Sequence, residues 1–337
     1  MKKTLPQTTL LSVLRPVAVV SILLLLAVST AVADKKTQTW GEKLGYGPGS
    51  RVIILHGDDL GMCPEANAAG IKYLEAKDIQ SASAMVPCPN FDEFAAWFKK
   101  NPQYDCGLHM TLNSEWKTHR WGPVAPRDKV PGLVDSQGML HRGVLYTAMG
   151  AKASEVETEI RAQIDRALAA GIKPTHLDTH MGTLYARLDF VQAFYKVAQE
   201  YKIPAFVIDP SPEMINELRK HGAPITEKMH ELVRQYQGPK LDMFYSVPNG
   251  KSYEDVREKF FALVRGLQPG ITEIAFHPSA KSKSLKKITG SWQQRVWESQ
   301  LFSDPEVKKF FKDEGIQFTN WREMAKRYKK LQAGGGK

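Results

Sequence analysis

The chain has 337 residues, 42% of them hydrophobic and 24% charged, with a formal net charge of +10. This is ordinary globular composition, and no stretch after the first 33 residues is long and apolar enough to span a bilayer. The basic surplus sits in runs such as Lys326-Arg327-Tyr328-Lys329-Lys330, which read as solvated helix faces and not as a nucleic-acid-binding stripe.

Residues 1–33 stand apart from the rest. Lys2, Lys3 and Arg15 are basic, Pro16 to Ala33 is apolar around Leu23-Leu24-Leu25-Leu26, and Ala31-Val32-Ala33 supplies small residues before Asp34. That order predicts a secretory signal peptide cut after Ala33, and a mature protein that is periplasmic or secreted. The alternative is an uncleaved anchor, because the apolar stretch is of borderline spanning length. The three cysteines, Cys63, Cys88 and Cys106, form no Cys-x-x-Cys pair, so they predict small buried residues with room for one disulfide at most.

Residues 34–50 read as a polar, Gly-rich N-terminal arm, and the domain is expected over 51–331. Val52 to Leu55 is a β-branched run of the kind that forms a buried parallel strand, ending at Asp58-Asp59 and Gly61. Helical spacing follows over Pro64 to Lys77. Strands are expected at Gln80–Val86 and Tyr104–Thr111, with a helix at Phe91–Asn101 between them. Asn113 to Met139 is a long loop rich in Trp, Pro and Gly, and loops of that length tend to be functional. Ser154 to Ala170 reads as a helix capped by Ser154 with Glu157 as its capping-box partner and Gly171 as its stop. Further strands are expected at Pro174–Asp178, Pro204–Ile208, Lys240–Tyr245, Gly270–Phe276 and Gln317–Asn320. Helices are expected at Phe190–Tyr201, Glu213–Tyr236, Tyr253–Arg265, Trp292–Leu301, Pro305–Asp313 and Trp321–Leu331. Residues 332–337 read as a disordered tail. Strand and helix alternate without internal repeats, which predicts a single α/β domain with a parallel sheet, most simply a (β/α) barrel, TIM-like or distorted and seven-stranded.

Four strands end in similar chemistry: Asp58/Asp59, His109, His180 and His277. A parallel barrel delivers all strand ends to one face, so these residues should converge. Two imidazoles and a carboxylate are a common ligand set for a catalytic divalent metal, and a second carboxylate can accept the proton of an attacking water. Adjacent aspartates point to opposite faces of a regular strand, so both can serve only if the chain turns there.

The ordered segments His56-Gly57-Asp58-Asp59-Leu60-Gly61 with Asn67, Gly107-Leu108-His109-Met110-Thr111-Leu112, His176-Leu177-Asp178-Thr179-His180 and Glu273-Ile274-Ala275-Phe276-His277-Pro278 resemble those of the YdjC/ChbG family of sugar N-deacetylases. The resemblance runs from about Val52 to Ala325. It implies a barrel related to polysaccharide deacetylases, one divalent ion (zinc or magnesium) held by Asp59, His109 and His180, Asp58 as general base, and His277 as general acid or oxyanion stabiliser. Asp178 would orient a ligand histidine, and the substrate would be an N-acetylated sugar. Asn67, Trp116, Trp121 and Tyr185 are candidate supporting or substrate-contacting residues, while His141, His221 and His230 read as surface. His56-Gly57 departs from the family's Asn-Ala or Asn-Ser, and Gly182 replaces its last histidine. Rival readings are another barrel metal hydrolase, such as a phosphoesterase or a peptidoglycan amidase, and an inactive carbohydrate-binding protein. The lack of a second His-rich cluster speaks against a two-metal phosphoesterase. Adjacent aspartates are too close for a glycosidase pair.

Overall fold

In the computed structural model, residues 38–220 and 226–334 are described. The expected leader, 1–33, and His221 lie outside the described residues, and among the described residues no helix is long and apolar enough to cross a membrane. Seven parallel strands form the sheet: β1 (Arg51–Leu60), β2 (Ser81–Ala84), β3 (Cys106–Met110), β4 (Leu177–Thr179), β5 (Met243–Ser246), β6 (Gly270–Phe276) and β7 (Gln317–Phe318). Around them lie α1 (Trp40–Lys43), α2 (Pro64–Glu75), α3 (Phe91–Lys100), α4 (Val144–Gly150), α5 (Ala153–Ala169), α6 (Leu188–Tyr201) and α7 (Pro212–Lys220). The remaining helices are α8 (Glu227–Gln235), α9 (Tyr253–Arg265), α10 (Leu285–Ile288), α11 (Trp292–Ser303), α12 (Pro305–Asp313) and α13 (Trp321–Gly334).

The strand order is β4-β3-β2-β1-β6-β5, with β7 beside the lower half of β1. Single bridges, Leu177 to Ala205 and Ile208 to Leu241, carry the chain from β4 to the approach of β5. The expected strand at Pro204–Ile208 is therefore a stave held by isolated bridges. The result is a single-domain, distorted (β/α) barrel.

Alternation along β1 divides the core. Ile53 and Leu55 join the outer cluster under the helices, and Val52 and Ile54 join an inner cluster with Ile271, Phe206 and Trp321. The helices answer with matching stripes: Phe91, Phe94, Ala95 and Phe98 are the buried face of α3, and Val256, Phe260 and Val264 that of α9. Higher in the barrel the inward positions turn polar, and this is where the site begins.

Three expectations change. The helix α5 starts one residue early because the Lys152 N–H donates to Glu155 Oε2 at 3.0 Å. Ser154 is thus inside the first turn, and Glu157 pairs with Arg161 (2.7 Å). Residues 39–44 of the expected arm are docked. The Trp40 and Gly41 N–H groups donate to Asp242 at 2.7 and 3.1 Å, and the Trp40 indole donates to Asp209 at 2.9 Å. At the far end α13 continues through Gly334, beyond the expected boundary at 331. The long loop is tied down, with Glu159 accepting from the Val124 and Ala125 N–H groups at 2.9 and 2.8 Å. All three cysteines are buried and free.

Candidate active site

The Asp58-Asp59 pair is resolved by a kink. Between Gly57 and Leu60, β1 carries one more residue than β2 does between Ala82 and Ala84, a β-bulge. Asp59 sits there at φ 65°, a left-handed conformation that non-glycine residues rarely adopt. The bulge turns both carboxylates toward one cavity of about 730 Å³, which His109, Asp178, His180 and His277 also line.

Asp59 is fully buried. Its Oδ1 lies 3.6 Å from His109 Nε2 and 3.4 Å from His180 Nδ1. The other nitrogen of each ring is engaged. His109 Nδ1–H donates to Asp178 Oδ1 at 2.8 Å, and His180 Nε2–H donates to Glu115 Oε2 at 3.0 Å. In a neutral imidazole one nitrogen donates and the other carries a lone pair. The nitrogens facing Asp59 are therefore the lone-pair ones. With both rings neutral, two lone pairs and a carboxylate oxygen converge, and neither Asp59 oxygen has an aligned hydrogen-bond donor. The separations match the roughly 3.4 Å between ligands of a tetrahedral ion with bonds of about 2.1 Å. Asp59, His109 and His180 thus fit a divalent metal by geometry and by donor chemistry.

Arg295 Nη2, 2.8 Å from Asp59 Oδ2, is an ion pair whose N–H is not aimed at the oxygen. Burial alone would raise the Asp59 carboxyl, but the Arg295 and His180 charges hold it well below the usual carboxylate range. For His180, burial favours the neutral ring, yet Glu115 and Asp59 outweigh it and push the imidazole up to about 10. The site draws in positive charge. Asp58 is partly open to the cavity, with Ser83 Oγ donating to its Oδ1 at 3.4 Å and His56 Nε2 lying 3.2 Å from the same oxygen. His277 is half-exposed there, its Nδ1 3.4 Å from Glu298 Oε2 and its backbone N–H donating to the same oxygen at 2.7 Å.

The supporting residues are sorted by their contacts. Asn67 is buried away from the cavity, where its Oδ1 accepts from the Gly61 N–H (2.7 Å) and its Nδ2 donates to the Asn90 carbonyl (3.0 Å), pinning the turn after β1. Trp121 is core, its indole donating to the Asn113 carbonyl at 2.9 Å. Trp116 packs edge-on to Trp121 and lies under Arg295, whose guanidinium is 5.5 Å from the ring. Tyr185 does line the cavity, with its hydroxyl on the Phe206 carbonyl. The other aromatic walls are Tyr195, Phe206 and Phe244, and neither loop tryptophan is among the lining residues. His230, half-buried, also lines the cavity.

Sequence reasoning passed over Glu115, Arg295, Glu298 and Glu273, and left His56 and His176 without roles. A period-two signal existed for some of them: His56 precedes Asp58, and His176 precedes Asp178, by two residues, which puts each pair on one face of its strand. His56, His176 and Asp178 form a second buried His-rich group, contrary to the expectation of only one.

A parallel barrel with an Asp-His-His cluster at the carboxyl ends of its strands defines the class: a (β/α)-barrel protein with a candidate metal centre. The chain belongs to the YdjC-like protein family, whose model matches residues 52–313. A carbohydrate deacetylase of Thermus thermophilus is 30% identical over 268 residues, covering 80% of this chain and 92% of the relative. A carbohydrate deacetylase of Geobacillus stearothermophilus is 25% identical, covering 82% and 99% respectively. A crystal structure from Enterococcus faecalis, described as a candidate cellobiose-phosphate cleavage protein, superposes with a TM-score of 0.67 at 23% identity. It covers 82% of this chain and 99% of its own, a likeness of fold.

Proposed function

We propose that the protein is an exported, metal-dependent carbohydrate deacetylase that hydrolyses the N-acetyl group of an amino sugar or oligosaccharide. The observation that carries this reading is the convergence of His109 Nε2 and His180 Nδ1 on Asp59, with Asp58 open to the cavity beside them. The family membership and the relatives named carbohydrate deacetylases support the substrate class.

A divalent ion, zinc or magnesium, held by Asp59, His109 and His180 would supply Lewis acidity toward the amide carbonyl and toward water. Asp58 accepts the proton of the attacking water, as a carboxylate open to the cavity. His277 stands ready to donate, either to the amide nitrogen as the C–N bond breaks or to the developing oxyanion. Burial works against its protonated form, but Glu298 overrides this and the His277 pKa is raised. Arg295 fixes Asp59, and Asp178 and Glu115 fix the two ligand rings. Tyr185, Phe206 and Phe244 offer the apolar faces against which a pyranose ring can lie.

Acetate release from N-acetylglucosamine, its oligomers and other N-acetylated sugars, with and without a chelator, tests the activity. Release that stops on chelation and returns with zinc or magnesium is expected; chelator-insensitive release, or none from any N-acetylated sugar, would overturn the reading. Export is tested on the native host's protein, where a mature N-terminus at Asp34 is expected.

A further inference from the structure

The barrel holds a second place with the features that mark the first. His176 is fully buried and stacks on Trp321 with ring centres 5.0 Å apart. Its protonation pattern follows from its neighbours. Thr175 Oγ1 gives its proton to Asp105 Oδ1 at 3.0 Å and so accepts from His176 Nδ1–H, also at 3.0 Å. Nε2 is left with the lone pair. It has no hydrogen-bond partner, and it lies 3.7 Å from Asp178 Oδ2. That carboxylate oxygen is also 3.1 Å from His56 Nε2, which in turn is 3.2 Å from Asp58 Oδ1. Buried lone pairs at this spacing repel unless a proton or a cation lies among them. The absent side chain of Gly107 keeps the space beside Nε2 clear, since a Cβ there would sit 2.4 Å from it.

Charge balance points the same way. Asp58, Asp59, Glu115, Asp178, Glu273 and Glu298 all line the cavity, against a single permanent cation among its described lining residues, Arg295. A cation at the second cluster would offset part of that excess of carboxyl groups.

We infer that His56 Nε2, His176 Nε2 and Asp178 Oδ2 form a second divalent-metal site of the zinc class, with Asp58 Oδ1 beside it for a fourth position. The imidazole-rich donor set suits a zinc-class ion better than magnesium. Asp178 then links the two sites, Oδ2 on the second ion and Oδ1 on the His109 N–H, so the second ion tunes how strongly a ligand of the first is polarised. The inference does not depend on what the first site hydrolyses.

The test is metal content and position in the mature chain saturated with Zn(II), by elemental analysis and by anomalous scattering from crystals. Two ions per chain are expected, with one lost in His56→Asn and in His176→Ala, while Asp59→Ala loses the other and keeps this one. His176→Ala removes a ring stacked on Trp321, so His56→Asn, with its fold checked by circular dichroism, is the decisive variant. A single ion seated at Asp59, or two ions retained in a folded His56→Asn protein, overturns the second site and leaves the deacetylase reading standing. Binding of no ion at all overturns both.

Discussion

Two aspartates at opposite ends of the barrel show how the same side chain serves different ends. At the floor, Asp242 accepts from the backbone N–H groups of Trp40, Gly41 and Ile271 at 2.7, 3.1 and 2.8 Å, tying α1 to the strands. At the mouth, Asp59 is more deeply buried, yet neither oxygen has an aligned donor. A carboxylate that holds a fold together is saturated by protein donors; one left short of them is reserved for something the chain itself does not supply. The floor is a joint and the mouth is a socket.

The sharpest way to break this contrast is to exchange the readouts. Asp59→Ala or His180→Ala should remove the bound ion and lower turnover by about 10³-fold or more, the scale of losing a central electrostatic contributor. Acetate release and metal content measured together check this, and unchanged deacetylation in either variant would sink the assignment. Asp242→Ala should do the reverse. Leaving buried N–H groups without an acceptor costs about 3 kcal/mol, read from urea melts, while the turnover of the folded fraction stays within about twofold because the change is remote. Between these extremes, Asp178→Asn and Glu115→Gln leave Asp59, His109 and His180 in place but loosen the rings of the two histidines. Each should weaken metal affinity by roughly 10–100-fold, measured by competition with a chelating dye.

The smallest effect is a shift along the pH axis. Glu298 stabilises the protonated form of His277, so the folded pKa lies above the ordinary histidine value despite burial. An acid of this kind is competent below its pKa and is lost as pH rises through it. Glu298→Gln should therefore move the alkaline limb of the kcat profile to lower pH. A limb that stays in place would remove His277 from the role of proton donor.

Much of this arrangement was legible in the sequence, for physical reasons. The strand beginning at Arg51, the helix Tyr253–Arg265 and the strand Gly270–Phe276 were visible because burial imposes a strict apolar pattern on them. Asp59, His109 and His180 were recognisable because they end strands that a barrel must bring together. The residues that hold them were not. Glu115 comes from a loop with no periodicity, and Arg295 and Glu298 lie on a terminal helix whose sequence gives no hint of which face meets the site. The loop tryptophans misled for a related reason. Aromatic residues near a histidine in sequence looked like a sugar platform, whereas Trp121 is packed into the core and Trp116 backs Arg295. The bulge that reconciles Asp58 with Asp59 leaves little trace beyond the flanking glycines, because Asp59 itself takes the left-handed backbone usually left to glycine.

The stave at residues 204–209 has a kinetic consequence. Where β1 and β6 share an unbroken register of seven residues, this segment joins the sheet by isolated bridges at Ala205 and Ile208. It is the seam of the barrel, and it runs beside the aromatic wall made by Phe206 and Phe244. Opening there severs few sheet bonds, so amide protons along 205–209 should exchange well before those of β1 or β6. A seam that breathes next to the cavity would let the enclosure widen for a bulky chain without disturbing the strands that carry Asp59 and His109.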